Sequence, residues 1–200
     1  MSISVQTVFL NYKKMEKKFN IFFLSNMMAE KGVWVLMDAC KLLEQQNCNF
    51  ECHCVGKWSD ITEDSFNQYV LMKGLKGKVF AHGAKYGDDK NMFWKKADIF
   101  VFPTFYHNEC FPLVLLEAMQ QGVACIASDE GGISDMIEND VTGFVVEKRN
   151  AKALADKIAY LMEHPDICRR MGEAGKEKFE REFTLSRFEN NMVNVLNHCL

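Results

Sequence analysis

Glu109-Cys-Phe-Pro-Leu-Val-Leu-Leu-Glu117 sets two carboxylates at the ends of a nine-residue stretch that is otherwise almost wholly apolar. Proline suits the first turn of a helix, where its missing N–H costs nothing, so Pro112 places Glu109 in the entering loop and Glu117 about one turn inside. A helix apolar on all sides is normally buried, and carboxylates at its mouth are costly to desolvate unless something polar meets them there. The free amides of Leu113 and Val114, with the positive end of the helix dipole, suit a phosphate. Glu117 repels a phosphate, but it can accept two hydrogen bonds from a neighbouring pair of hydroxyls, as on a ribose. Glu109 can serve another hydroxyl-bearing group further out. Phosphate, diol and sugar together describe a nucleotide sugar. Alternatively, Glu117 only complements the dipole and Glu109 is solvated; spacing alone leaves both readings open.

The segment Pro103-Thr-Phe-Tyr-His-Asn-Glu-Cys-Phe-Pro-Leu-Val-Leu-Leu-Glu-Ala-Met contains this pair. Gly122-Val-Ala-Cys-Ile-Ala-Ser-Asp-Glu-Gly131-Gly132-Ile-Ser-Asp-Met-Ile and Asn139-Asp-Val-Thr-Gly143-Phe-Val-Val follow it, and Phe22-Phe-Leu-Ser-Asn-Met-Met-Ala-Glu-Lys31-Gly32 precedes it. In this order the segments resemble the large retaining glycosyltransferase family with the GT-B fold, the glycosyl transferases group 1. The resemblance covers about residues 20–180 and implies the C-terminal, donor-binding domain. It implies further that Glu117 holds the ribose, that Glu109 lies near the transferred sugar, and that Lys31 meets the donor diphosphate. Gly83-Ala-Lys85 occupies the place where the family's backbone meets the nucleotide base, while Gly132 lines the sugar or phosphate region. The donor would be a UDP-sugar or GDP-sugar. Transfer would proceed with retention, by front-face attack of the acceptor rather than through a covalent glycosyl-enzyme.

Two positions depart from the family pattern. Asn26 stands where an Arg is frequent, which removes a charge and a bidentate fork from the diphosphate. Pro112 stands where Gly is frequent, which removes one amide but stiffens the helix start. The family enzyme has two Rossmann-like domains facing a cleft, and these 200 residues correspond to the second. The expectation is an excised domain, a natural fragment, or a chain whose partner supplies the N-terminal acceptor-binding half.

Composition agrees with a cytoplasmic globular domain: 48% hydrophobic, 26% charged and only three prolines. The net charge of −3 gives no reason to expect nucleic-acid binding. Eight cysteines at irregular spacing, with no signal-peptide pattern, read as reduced and mostly buried. Cys52-His53-Cys54 on a strand would turn both thiols to one face and the imidazole to the other, a structural arrangement without a second ligand pair at zinc spacing. The Asp-x-Asp of metal-dependent sugar transferases is missing, since Asp88 and Asp89 are adjacent and followed by Lys90. No bound metal or cofactor is therefore expected beyond the substrate itself. No apolar run approaches the roughly 18 residues that cross a membrane.

To position these residues the chain must alternate strands and helices. Strands are predicted at Asn20–Ser25, Phe50–Val55, Lys78–Ala81, Asp98–Phe102, Val123–Ala127 and Thr142–Val146, with helices after nearly every one. Ile21-Phe-Phe-Leu and Ile99-Phe-Val-Phe are apolar at successive positions, so both sheet faces should be covered. The fold class is a Rossmann-like, doubly wound parallel sheet of about six strands, with ligands at the carboxyl ends. Lys31 before the helix at Val33 opposes the helix dipole unless an anion stands in front of it; otherwise it is a flexible, solvated lysine or forms a weak pair with Glu30. Gly56 reads as a close-approach glycine or an ordinary turn, and Gly131-Gly132 likewise. His107 and Asn108 are weak candidates for the cleft, and Lys85 for the base.

The domain is placed at 19–183. Residues 1–18 form a linker, a solvated tail or, through Lys13, Lys14, Lys17 and Lys18, a weak surface for anionic lipid, so that the full enzyme could associate peripherally with membranes. After 150 the chain is helical: Ala151–Met162, Pro165–Glu180 and Thr184–Leu200. In the last helix Leu185, Phe188, Met192, Val195 and Cys199 form one apolar stripe, expected to pack on its own domain, and otherwise free for a homodimer. The family's terminal helix crosses back to the N-terminal domain. Two other functions compete: a nucleotide-sugar epimerase or phosphorylase on the same fold, and a non-catalytic Rossmann-like interaction domain.

Overall fold

The computed structural model describes residues 18–198, so the expected tail at 1–18 lies almost wholly outside the described residues. Six strands form one parallel sheet: β1 (Phe19–Leu24), β2 (Phe50–Val55), β3 (Val79–Ala81), β4 (Ile99–Phe102), β5 (Ala124–Ser128) and β6 (Gly143–Val146). Their order is β3-β2-β1-β4-β5-β6. The chain moves outward one way from β1 and then returns to wind the other way from β4. The gap between the carboxyl ends of β1 and β4 is therefore the topological switch point, where ligands of such sheets bind.

Apolar runs explain the burial. All four side chains of β4 and all five of β5 are buried, which requires cover on both faces. That cover comes from α1 (Val33–Gln45), α2 (Glu63–Met72), α3 (Gly87–Lys96), α4 (Leu113–Gln120), α5 (Ile133–Met136), α6 (Ala151–Glu163) and α7 (Pro165–Glu182). Caps fix several starts: Thr62 and Ser65 form a reciprocal capping box on α2, Asn150 accepts from the Ala153 amide on α6, and Pro165 opens α7. At the amino end of the sheet the Asn20 amide donates to Asp98 Oδ2 at 2.8 Å, which sets the β1 and β4 register.

Phe100 is fully buried and its ring meets Trp94 at 5.0 Å, Phe22 at 6.0 Å and Phe102 at 6.2 Å. Phe100→Ala is expected to lower the unfolding free energy by about 3–5 kcal/mol, read as a drop in the urea midpoint at unchanged slope.

The terminal helix departs from expectation. Helix α8 (Leu185–His198) buries none of its residues, and Leu185, Phe188, Met192 and Val195 are all exposed among the described residues. It does not pack on its own domain, because α7 already occupies the place against α4, β5 and β6.

The alternation expected of Cys52-His53-Cys54 on a strand is seen: both thiols are buried and in no disulfide, and His53 faces the other way. His53 Nδ1 and His82 Nε2 lie 3.0 Å apart beside a cavity of about 250 Å³ that Phe93 and Lys96 of α3 also line. Burial is the main cause that holds both imidazoles below their usual pKa. Glu51 partly offsets this at His53, while His53, Lys85 and Lys96 add to it at His82. A folded-state pKa below the unfolded value means the unfolded chain binds more protons, so stability is present above about pH 6.5 and is lost as pH falls through that range. Urea titrations from about pH 7 to about pH 5 should show this loss, and His82→Gln should flatten part of it.

Candidate functional site

Lys31 ends a short 3₁₀ turn (Ala29–Lys31), and α1 starts two residues later, after Gly32. Gly32 has φ +81°, and a Cβ there would lie 2.0 Å from the Pro103 carbonyl oxygen, so only glycine lets the β1 loop lie against the end of β4. The two loops are then stitched together: the Phe105 amide donates to the Glu30 carbonyl at 2.8 Å, and Thr104 Oγ1 donates to the same oxygen at 3.3 Å. Ser128 Oγ at the end of β5 donates to the Thr104 carbonyl.

This stitching brings Lys31 to Glu109 across the switch point. Nζ lies 2.6 Å from Oε2, with the two side chains only 14% and 11% exposed. Thr104 Oγ1 lies 3.3 Å from the same carboxylate oxygen, so its single proton is shared between Glu109 and the Glu30 carbonyl, and Nζ sits 4.5 Å from the Tyr106 ring centroid. The partner of Lys31 is thus Glu109, not Glu30. His107 and Asn108 are exposed and touch Tyr106, His107 by ring contact at 5.6 Å and Asn108 through a 3.4 Å hydrogen bond to its hydroxyl.

Pro112 caps α4 with φ −71° and ψ 108°, one position before the first turn. Leu113 and Val114 are the first two helical residues, so their amides have no carbonyl four residues back to reach. The helix is not buried on every side: Leu115, Ala118 and Met119 face the core, whereas Leu113 and the preceding Phe111 are exposed. An apolar sequence does not by itself enclose a helix, and here the exposed residues flank the amides.

Glu117 lies in the second turn of α4, and among the described residues both its side-chain polar contacts come from α3. Lys90 Nζ is 2.6 Å from Oε2, and Trp94 Nε1 donates to the same atom at 3.3 Å. The pair is about one-quarter to one-third exposed, 26% for Lys90 and 34% for Glu117. The sequence reading missed this contact. Lys90 and Trp94, four apart, share one face of a helix, but nothing in the sequence points that face at Glu117.

The glycines divide by role. Gly131 has φ +56°, and a Cβ on it would stand 1.7 Å from the Glu109 carbonyl oxygen, while the Gly132 amide donates to the Cys110 carbonyl at 2.8 Å. The pair braces the Glu109 loop from behind. Gly56 lies so close to the Ser25 carbonyl that a Cβ would come within 1.7 Å of it, so its close approach is to the chain itself. The Gly83 carbonyl accepts from the Gly56 amide at 3.0 Å, and Ala84 is exposed just beyond β3. Asn26 is exposed at the end of β1.

At the carboxyl end of the doubly wound sheet, Lys31 pairs with Glu109 in the loop before α4, and Lys90 pairs with Glu117 inside that helix. Residues 6–178 match the family described as glycosyl transferases group 1. The chain belongs to that family. Among its relatives is the capsular polysaccharide biosynthesis glycosyltransferase CapM of Staphylococcus aureus, 28% identical over 191 residues, covering 94% of this chain and 48% of CapM. The solved structure of Anabaena Alr3699/HepE in complex with UDP and glucose superposes with a TM-score of 0.80 at 21% identity, over 90% of this chain and 48% of that one. The C-terminal domain of the group 1 family protein LpcC from Francisella tularensis gives 0.74 at 21%, over 84% of this chain and 87% of that one. This group 1 chain spans about half the length of the curated relatives it matches. Among the described residues no helix is long and apolar enough to cross a membrane.

Proposed function

We propose that this chain is the donor-binding domain of a retaining glycosyltransferase and takes a nucleotide sugar such as a UDP-sugar or GDP-sugar. One observation carries the reading: Lys31 and Glu109, 78 residues apart, meet at the switch point, in the loop that leads into α4. Without a ligand the two charges neutralise each other. An arriving diphosphate draws Lys31 and the amides of Leu113 and Val114 to itself, and Glu109 is released to accept from a hydroxyl of the sugar. Glu117 receives the ribose diol, main-chain groups of Gly83 and Ala84 meet the base, and Gly132 supports the sugar loop. As the glycosidic bond breaks, charge builds on the leaving diphosphate, and Lys31 with the helix amides stabilises it.

The relatives support this reading, HepE having been solved with UDP and glucose. The acceptor enters from an N-terminal half, a cytoplasmic setting suits the donor, and the relatives' capsular and amylovoran biosynthesis points to envelope polysaccharide. A non-catalytic interaction domain is the second reading, favoured by Asn26 and by the lysine partners that both carboxylates already hold.

Calorimetric titration of the 200-residue chain with UDP, GDP and ADP separates the two. The donor reading expects at least one to bind, with the diphosphate outcompeting the nucleoside. Failure of all three favours the interaction domain.

A further inference from the structure

Helix α3 holds the acidic side chain of α4 in a one-sided way. Lys90 and Trp94 both reach Oε2 of Glu117, at 2.6 and 3.3 Å, so Oε1 takes part in neither contact. Trp94 cannot easily follow a moving partner: it is 3% exposed, with its ring 4.7 Å from that of Phe22 and 5.0 Å from that of Phe100. The core thus fixes the indole N–H, and the indole fixes where Oε2 can sit. Lys90 is different, a partly exposed cation on a flexible stem that adds charge to the same point.

A carboxylate free to rotate presents either oxygen to a ligand and loses that freedom on binding. One whose Oε2 is already held by a rigid donor and a cation is pre-organised, with its second oxygen left for the ligand. We infer that Lys90 is a positioning residue for recognition of the ribose diol, acting through Glu117, with Trp94 as its fixed buttress. The inference rests on the donor reading above and gives it a specificity element: the site distinguishes a ribose from a sugar that lacks the two hydroxyls. A lysine that merely blocked the carboxylate would have to leave before a nucleotide bound, and its removal would tighten binding.

The test compares each ribonucleoside diphosphate that binds, from UDP, GDP and ADP, with its 2′,3′-dideoxy counterpart, on the wild type, Lys90→Met and Lys90→Arg. Hydrogen bonds to a charged acceptor predict a preference of about tenfold or more for the ribose form in the wild type. In Lys90→Met the preference should fall to about threefold or less at unchanged dideoxy affinity, and Lys90→Arg should restore it. Equal weakening of both ligands by Lys90→Met, an unchanged ratio, or tighter ribonucleotide binding each overturns the inference. So does a wild type that binds the diphosphates without preferring ribose, although the phosphate site then stands. A wild type that binds no nucleoside diphosphate removes the donor reading itself, and the inference with it.

Discussion

Lys31→Ala is expected to weaken nucleoside diphosphate binding about 10- to 100-fold while leaving the affinity for the bare nucleoside unchanged. The size follows from the chemistry of the contact. Lys31 is the cation placed at the switch point, and a hydrogen bond to a charged group is worth about 1.5–3 kcal/mol, more than a neutral one. The substitution also orphans Glu109, only 11% exposed, whose remaining donor is Thr104 at 3.3 Å. Stability should therefore fall as well, by about 1–3 kcal/mol. The double variant Lys31→Ala/Glu109→Gln separates the effects: removing the unpaired charge restores much of the stability, and the loss of diphosphate affinity remains. If the double variant recovered both, Lys31 would be a structural partner of Glu109 and nothing more.

Gly131→Ala should cost about 3 kcal/mol, or roughly 6–12 °C in Tm for a domain of this size. Two causes add. A φ of +56° is disfavoured for any residue with a Cβ, and that Cβ would stand 1.7 Å from the Glu109 carbonyl oxygen and 2.7 Å from its carbon. Backbone cannot swing aside as a side chain does, so the Glu109 loop must shift, and the Lys31 contact with it. Gly77→Ala is the control, with φ +81° and nothing within 4 Å of a built Cβ, so it carries the conformational cost alone, about 1 kcal/mol. Equal melting temperatures for the two variants would show that the loop gives way freely.

The fold was legible because its apolar runs are continuous. Predicted Phe50–Val55 is β2 as found, and Asn20–Ser25 differs from β1, Phe19–Leu24, by one residue at each end. Such shifts arise because strand limits depend on hydrogen bonds to neighbours, which side-chain pattern does not encode. In the site, Lys31 and the Glu109–Glu117 spacing could be read because helix starts and dipoles are local. Their partners could not. Lys90 and Glu117 lie 27 residues apart on different helices, and no periodicity connects them. Helix α8 shows the same limit, since an apolar stripe at spacings of three and four announces that a helix has a face, not what covers it.

On the donor reading, Glu117 and the N-terminus of α4 together recognise a ribose joined to a diphosphate. Calorimetry on Glu117→Ala with the tightest-binding of UDP, GDP and ADP tests it most directly. Binding of the ribonucleoside diphosphate should weaken about tenfold, with no change for its 2′,3′-dideoxy counterpart. Undiminished ribonucleotide binding would contradict it, leaving Glu117 only the neighbour that Lys90 and Trp94 hold.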